Sequence, residues 1–418
     1  MEAPVIGIVE IITLLLGLAG FGLTPNPKPA TSDQALYYAI PEADVVVHLD
    51  VASIVPGNYK NLLALPKQPQ IKSSPELLKA VSRVVAEVEG ARGAAKAATG
   101  IDITTDITDA TAFVSFVPGA ADPAFVVVVR GKLDVGMIDK IAGMSGKQAT
   151  VVGGGKMIDM GGKEPSIGIT KDGVLLAGTP RLIKDRLNPG WKAPQKAAGA
   201  NLAYAAQTID GKPVFSISVA LSNVARKEVL AKLGPKKNLI TDLAQRHKSW
   251  SFSVYQDGVG WSWVDSNKAG LDQFAQMSEG WVDLMRAAQI APRGIAKILL
   301  AAIDSYKGQD RQIDEVIKRK ADIWKIVETY SGDGNFKVAV NKDPIKNRLD
   351  VRCTGKSLSE VLPAGLVGPG MAFFLLVGRS TSSMATPAIA VPPAQPTQAT
   401  PPKKIRKECI DNPLAKGC

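Results

Sequence analysis

A chain of 418 residues, 45% hydrophobic and 21% charged, is long and apolar enough to bury a substantial core, which excludes a disordered protein and a small disulfide-stapled one. Its net charge is +11, but the basic residues are scattered, and their richest run (Lys403, Lys404, Arg406, Lys407) has no aromatic neighbours on which bases could stack. Nucleic-acid binding is therefore not indicated, and three cysteines (Cys353, Cys409, Cys418) are too few to define a disulfide framework.

Residues 5–23, bounded by Val5 and Leu23, carry a single charge, Glu10, and are long enough to cross a bilayer as a helix. Pro25, Pro27 and Pro29 end any helix there. The segment, within residues 1–29, is expected to be a membrane anchor or an uncleaved signal; a cleaved signal peptide is the rival, although a basic n-region is missing.

The body then alternates strands and helices. Residues 43–51 (ADVVVHLDV) predict a strand, and prolines 56, 66, 69 and 75 predict a loop leading to a helix from 76 to about 98. Strands follow near 112–117 and 124–130, the second almost wholly apolar and so internal to its sheet. Two hairpins surround Asp172-Gly173 and Asp257-Gly258, because Asp-Gly suits a tight turn. In the second, Trp250, Phe252 and Val254 alternate with Ser249, Ser251 and Ser253, which predicts a sheet packed on one face only.

Each hairpin follows a strand-then-helix unit, 124–131 with 135–142 and 213–220 with 225–233. The expected fold is α+β: duplicated βα-ββ modules, 30–198 and 199–357, forming largely antiparallel sheet packed on one side by helices, behind the N-terminal transmembrane or signal helix. Residues 199–212 serve as the connection.

Residues 267–330 form a helical block. Leu271, Phe274, Met277, Trp281, Leu284 and Met285 line one face, and Ile295, Ile298, Leu299 and Ala302 continue it after Pro292. Phe274, Met277, Trp281 and Met285 make either a core face or the lining of an apolar-ligand site. A final hairpin surrounds Asp343-Pro344. Residues 361–378, within 358–379, are uncharged but broken by Pro363 and Pro369, giving a second span or a buried segment. The Pro-rich stretch 380–418 reads as a flexible tail. In it Cys409 and Cys418 close a short loop that suits a disulfide in an oxidising compartment; in the cytoplasm they are two thiols.

The succession IPEADVVVHLDV, GIDITTDI, AFVVVVRGKLD and ITKDGVLLAGTPRLIKDRL resembles a class of uncharacterised bacterial envelope proteins, common in myxobacteria-like genomes, with a strand-helix-hairpin module behind an N-terminal signal or anchor. The resemblance covers residues 37–190 and, more weakly, continues to 265. It implies location and fold, with no catalytic residues to carry over.

Candidate chemistry is sparse. His48 and Asp50 would share a strand face as a base and its orienter, or as structural polar residues; His247, between Arg246 and Lys248, reads as a solvated helix end. Asp102, Asp106 and Asp109 suggest turn caps or a Ca²⁺ site, and Gly153-Gly154-Gly155-Lys156 a glycine bend or a loose phosphate turn. GxSxG, HExxH, paired CxxC and an EF-hand loop are absent, and Gly355-Lys356-Ser357 lacks its upstream glycine, Asp350 standing there. No catalytic residue, cofactor or metal is assigned.

The expectation is a non-enzymatic envelope protein, anchored in the inner membrane through Val5 to Leu23 with its body periplasmic, that binds or scaffolds a protein partner of the envelope. A carrier of lipid or another apolar ligand and a hydrolase with an unrecognised site are the alternatives.

Overall fold

The computed structural model describes residues 31–355 apart from 74, 118, 121, 162–163, 196–198, 234–238, 309–313, 315–316 and 331–334. The apolar segments 5–23 and 361–378, the tail, and Cys409 and Cys418 lie outside the described residues. Among the described residues no helix is long and apolar enough to cross a membrane.

After a short α1 (Ser32–Ala35), three consecutive valines favour the extended backbone of β1 (Val45–Leu49). Asp50 ends the strand and starts α2 (Val51–Ala64): its carboxylate accepts from the Ser53 amide at 3.1 Å and hydroxyl at 2.7 Å. Helix α2 occupies the stretch expected to be a loop. Pro56 lies inside it, and burial of Val51, Ile54, Val55 and Leu62 at helical spacing outweighs the lost backbone bond. Then come α3 (Pro69–Lys72), α4 (Pro75–Thr99), β2 (Ile107–Ser115) and β3 (Ala124–Gly131). Helix α5 (Met137–Ser145) leads to β4 (Ala149–Val152), β5 (Gly155–Ile158), β6 (Ser166–Thr170), β7 (Leu175–Gly178) and α6 (Pro180–Arg186).

The expected connection at 199–212 is instead α7 (Ala200–Asp210), which buries Leu202, Ala205, Ala206 and Ile209, three and four residues apart. It precedes β8 (Phe215–Val219), α8 (Asn223–Leu233), α9 (Leu239–Arg246), β9 (His247–Tyr255) and β10 (Gly258–Asp265). Helix α10 (Lys268–Ala302) runs unbroken through position 292; α11 (Lys320–Tyr330) and the hairpin β11 (Lys337–Asp343) and β12 (Arg348–Thr354) follow.

The twelve strands form one sheet in the order β11-β12-β10-β9-β8-β1-β2-β3-β7-β6-β5-β4, every neighbouring pair antiparallel. The protein is therefore α+β, as its sequence indicates. Strands β1 and β8 are adjacent at the centre, with Val47 opposite Ile217.

Read outward from that pair, the halves match: β1-β2-β3-β7-β6 on one side and β8-β9-β10-β12-β11 on the other. The hairpin equivalent to β9–β10 is thus β2–β3, not the expected β6–β7. The turn chemistry misled: Asp172-Gly173 and Asp257-Gly258 look alike, but β3 pairs with the second strand of its hairpin (β7), whereas β8 pairs with the first of its own (β9). Hairpin β4–β5 is an addition confined to the first half.

Helices cover both faces, which corrects the one-sided packing expected from the serine alternation. On one face α5 packs Met137, Ile138 and Ala142 against Ile158 and Ile169. On the other, α1, α6 and α7 bury Ala35, Ile183, Leu187 and Leu202 against Val46, Phe113, Val128 and Leu176. The alternating serines of β9 face α7, where short side chains let a helix approach closely instead of meeting water.

Candidate functional site

Beneath α7 and across the middle strands runs a band of buried polar residues. In register on one face it comprises Arg130 (β3), Asp109 and Thr111 (β2), His48 (β1), Ser216 and Ser218 (β8), Ser251 and Ser253 (β9) and Ser262 (β10). All but Arg130, which is partly exposed, are buried. The expected His48–Asp50 pair does not form. His48 Nδ1 shares a hydrogen bond with Thr111 Oγ1 at 3.0 Å, and Asp50 caps α2. Burial, assisted by the positive charge of Arg130, lowers the His48 pKa to about 4, so the ring is neutral at pH 7. Arg130 donates from Nε and Nη2 to Asp109 Oδ1 at 2.9 and 2.6 Å; burial nonetheless raises the Asp109 pKa.

In the second half hydroxyls make the band. Tyr204, on α7, shares a hydrogen bond with Ser262, and Ser262 with Ser251 at 2.8 Å. Asn201 Nδ2, one turn earlier, donates to the carbonyls of Ala43 and Ser218 at 3.1 and 3.2 Å, binding α7 to both halves of the sheet. The residues of α7 were missed because its Asn, Tyr and Thr obscure a stripe at Leu202, Ala205, Ala206 and Ile209.

The remaining candidates have internal partners. His247, expected in solvent, is buried at the start of β9 with its ring 5.5 Å from that of Trp263. The three aspartates do not converge: Asp102 accepts from Arg92 Nε at 2.9 Å, Asp106 accepts from the Asp102 amide at 2.8 Å, and Asp109 pairs with Arg130. The Arg92 bond holds the Asp102 carboxyl well below its usual range. Among the described residues no group of three His, Cys, Asp or Glu side chains could hold a metal ion. The Gly154 amide, in the suggested phosphate turn, donates to the Leu187 carbonyl at 2.6 Å. Burial pushes the Cys353 thiol up to about 12, leaving it protonated and unreactive.

Helix α10 carries two apolar faces. The inner one holds Leu271, Phe274 and Val282 against the sheet; Phe274 stacks on Trp263 with centroids 4.3 Å apart and meets Trp281 edge-on. Trp261 donates from Nε1 to Ser278 Oγ at 3.0 Å. Of the suggested ligand face, Phe274 is 1% exposed and thus part of the core, while Met277, Trp281 and Met285 are half-buried around it.

The outer face begins at Leu284 and runs through Ala287, Ala291, Ile295, Ile298 and Ala302 at steps of three and four, with Leu299 beside it. At about 100° per residue it lies roughly 130° around the helix from the inner face. Leu284, Ile295, Ile298 and Leu299 are 67, 58, 70 and 62% exposed. The sequence reading placed them in the core stripe; the missed signal is the change of phase after Val282.

An open antiparallel sheet with helices on both faces and an amphipathic helix beside it is the class this structure defines. No protein-family model and no curated protein matches the chain. Three solved structures, all crystal forms of TP0453, are similar to parts of it. Form III is 11% identical, covering 82% of this chain and 99% of its own, with a TM-score of 0.33. Form I gives 11%, 81%, 99% and 0.31, and form IV 14%, 55%, 80% and 0.30. Likeness at this level carries no argument about fold or function.

Proposed function

We propose that the protein is a non-enzymatic, membrane-anchored envelope protein that binds or scaffolds other envelope components. The observation that carries this reading is the outer face of α10. Large aliphatic side chains ranged along a helix and left open to water mark an interaction surface. Residues 5–23 would tether the chain, and the resemblance of the first module to envelope proteins favours a periplasmic body. The buried polar band acts in support: Arg130–Asp109 and His48–Thr111 join neighbouring strands, and Asn201 and Tyr204 hold α7 on the sheet.

The carrier alternative loses the inner face of α10 as its pocket, since tryptophans of β10 fill that side. In-cell photo-crosslinking from position 298 tests the leading reading. Binding predicts a reproducible adduct with an envelope component, absent when the crosslinker stands at Ile345, itself 93% exposed in the β11–β12 turn. No adduct from position 298 would overturn it.

A further inference from the structure

The outer face of α10 can be assigned a partner from its chemistry. Resting on the reading of this face as an interaction surface, we infer that the distal half of α10 lies in the interfacial layer of an anionic bilayer, with Leu284, Ile295, Ile298 and Leu299 among the acyl chains. Three observations converge on lipid.

The first is side-chain type. The exposed stripe is wholly Leu, Ile and Ala. Protein interfaces concentrate Tyr, Trp and Arg anchors that fix register, and none stands on this face. A fluid hydrocarbon needs no register.

The second is charge. From Leu284 to Ala302 the helix carries Arg286, Arg293 and Lys297 and no carboxylate. Asp283, just before this stretch, pairs with Arg286 at 3.3 Å, so residues 283–302 carry three positive charges and one negative, a net +2; Asp304, just after it, pairs with Lys320. The three basic residues lie away from the stripe, on the polar side of the helix. Arg286 rests over Phe336 and Lys297 over Trp324, with 5.3 and 5.6 Å to the ring centroids. An aliphatic stripe backed by basic residues is the pattern of helices that lie flat on anionic membranes.

The third is reach. Eighteen steps of about 1.5 Å make the stripe about 27 Å long. Over that length the side turned towards α11, with Ala296 and Leu300, is half-buried, while the opposite side is open. The helix can therefore lie in a bilayer surface without leaving the protein.

The test uses the full chain with Cys409 and Cys418 replaced by Ser and a single new thiol at Ile295→Cys, carrying an environment-sensitive fluorophore. Ile345→Cys is the control, because tethering through residues 5–23 alone would not seat the β11–β12 turn in the acyl region. With phosphatidylglycerol vesicles bearing brominated acyl chains, the label at 295 should shift to the blue and lose most of its emission, while that at 345 does neither. With phosphatidylcholine the effect at 295 should shrink, and added salt should weaken it.

Equal quenching at both positions, or none at 295, overturns the inference. So does an unquenched label at 295 together with a dimer by light scattering, which would give the stripe to a second copy. A protein adduct from position 298 without quenching at 295 would remove the lipid assignment and leave the binding reading standing. Quenching at 295 with no protein adduct would do the reverse for the scaffolding role.

Discussion

In the first half of the sheet the buried band is ionic, built from Arg130, Asp109 and the neutral ring of His48; in the second it is made of the hydroxyls of Tyr204, Ser251 and Ser262. The strand order is the same in both, and so is the face. The additions differ as well: the first half inserts the β4–β5 hairpin and widens the sheet, whereas the second inserts the 35 residues of α10 and with them an exposed apolar stripe. The comparison teaches that a matching strand order sets only where polar groups are buried. A charged pair depends on both members, while hydroxyls, each donor and acceptor, can exchange partners.

The largest expected effect therefore falls in the ionic half. Arg130→Met leaves the Asp109 carboxyl buried without its counter-charge and should cost about 3–5 kcal/mol in urea unfolding at neutral pH. Much of the loss should return in acid, where Asp109 is protonated, and in the double variant Arg130→Met/Asp109→Leu. A loss under about 1 kcal/mol at neutral pH would mean that the pair is already well hydrated.

Next comes the pH response of His48. Its folded-state pKa, about 4, lies below the usual 6.5, so the unfolded chain binds the proton first. The stability it contributes is fully present above pH 6.5 and is lost as pH falls towards 4, by about 3 kcal/mol for a shift of this size. Asp50 and Asp109, whose pKa values burial raises, work in the opposite sense, gaining stability as pH falls. The effect is therefore read as a difference: wild type should lose stability more steeply than His48→Gln between pH 6.5 and 4, and parallel curves would refute it.

Glycines at equivalent seams of the two halves give a smaller effect. An added Cβ at Gly258 (β10) would stand 1.9 Å from the carbonyl oxygen of Cys353 (β12), and at Gly178 (β7) 2.1 Å from that of Phe125 (β3). The β10–β12 and β3–β7 seams are each closed by a glycine, on opposite partners. Each Gly→Ala change should cost about 1–3 kcal/mol. Because the sites share no neighbour their costs should add. Strong non-additivity in denaturant unfolding would show that strain crosses the central β1–β8 pair.

Much of this architecture was legible in the sequence, and what was not had local causes. The valine runs at 45–47 and 126–129 locate β1 and β3, and the Asp-Gly turns locate two hairpins to within a few residues. Pairing was not legible, because a turn states that two strands meet but not which of them docks on a third. Helix α2 was hidden by Pro56, whose penalty is local while its compensation, the burial of Ile54 and Val55, is tertiary. For the candidate surface the residues were visible and their phase was not: Ile295, Ile298 and Leu299 continue an apolar periodicity begun at Leu271, and only the slip after Val282 turns them outward.

The smallest effect probes the hydroxyl half. Tyr204→Phe removes one buried hydrogen bond but strands no group, since Ser262 keeps its 2.8 Å bond to Ser251. The ring remains to pack on the sheet and to carry the Arg348 guanidinium, 5.3 Å from its centroid. A net hydrogen bond contributes about 1 kcal/mol when its partner stays satisfied, so urea unfolding should detect a loss of about that size, well below that of Arg130→Met. If the two losses were equal, the hydroxyls could not be exchanging partners, and the second half would depend on Tyr204 as the first does on its ion pair.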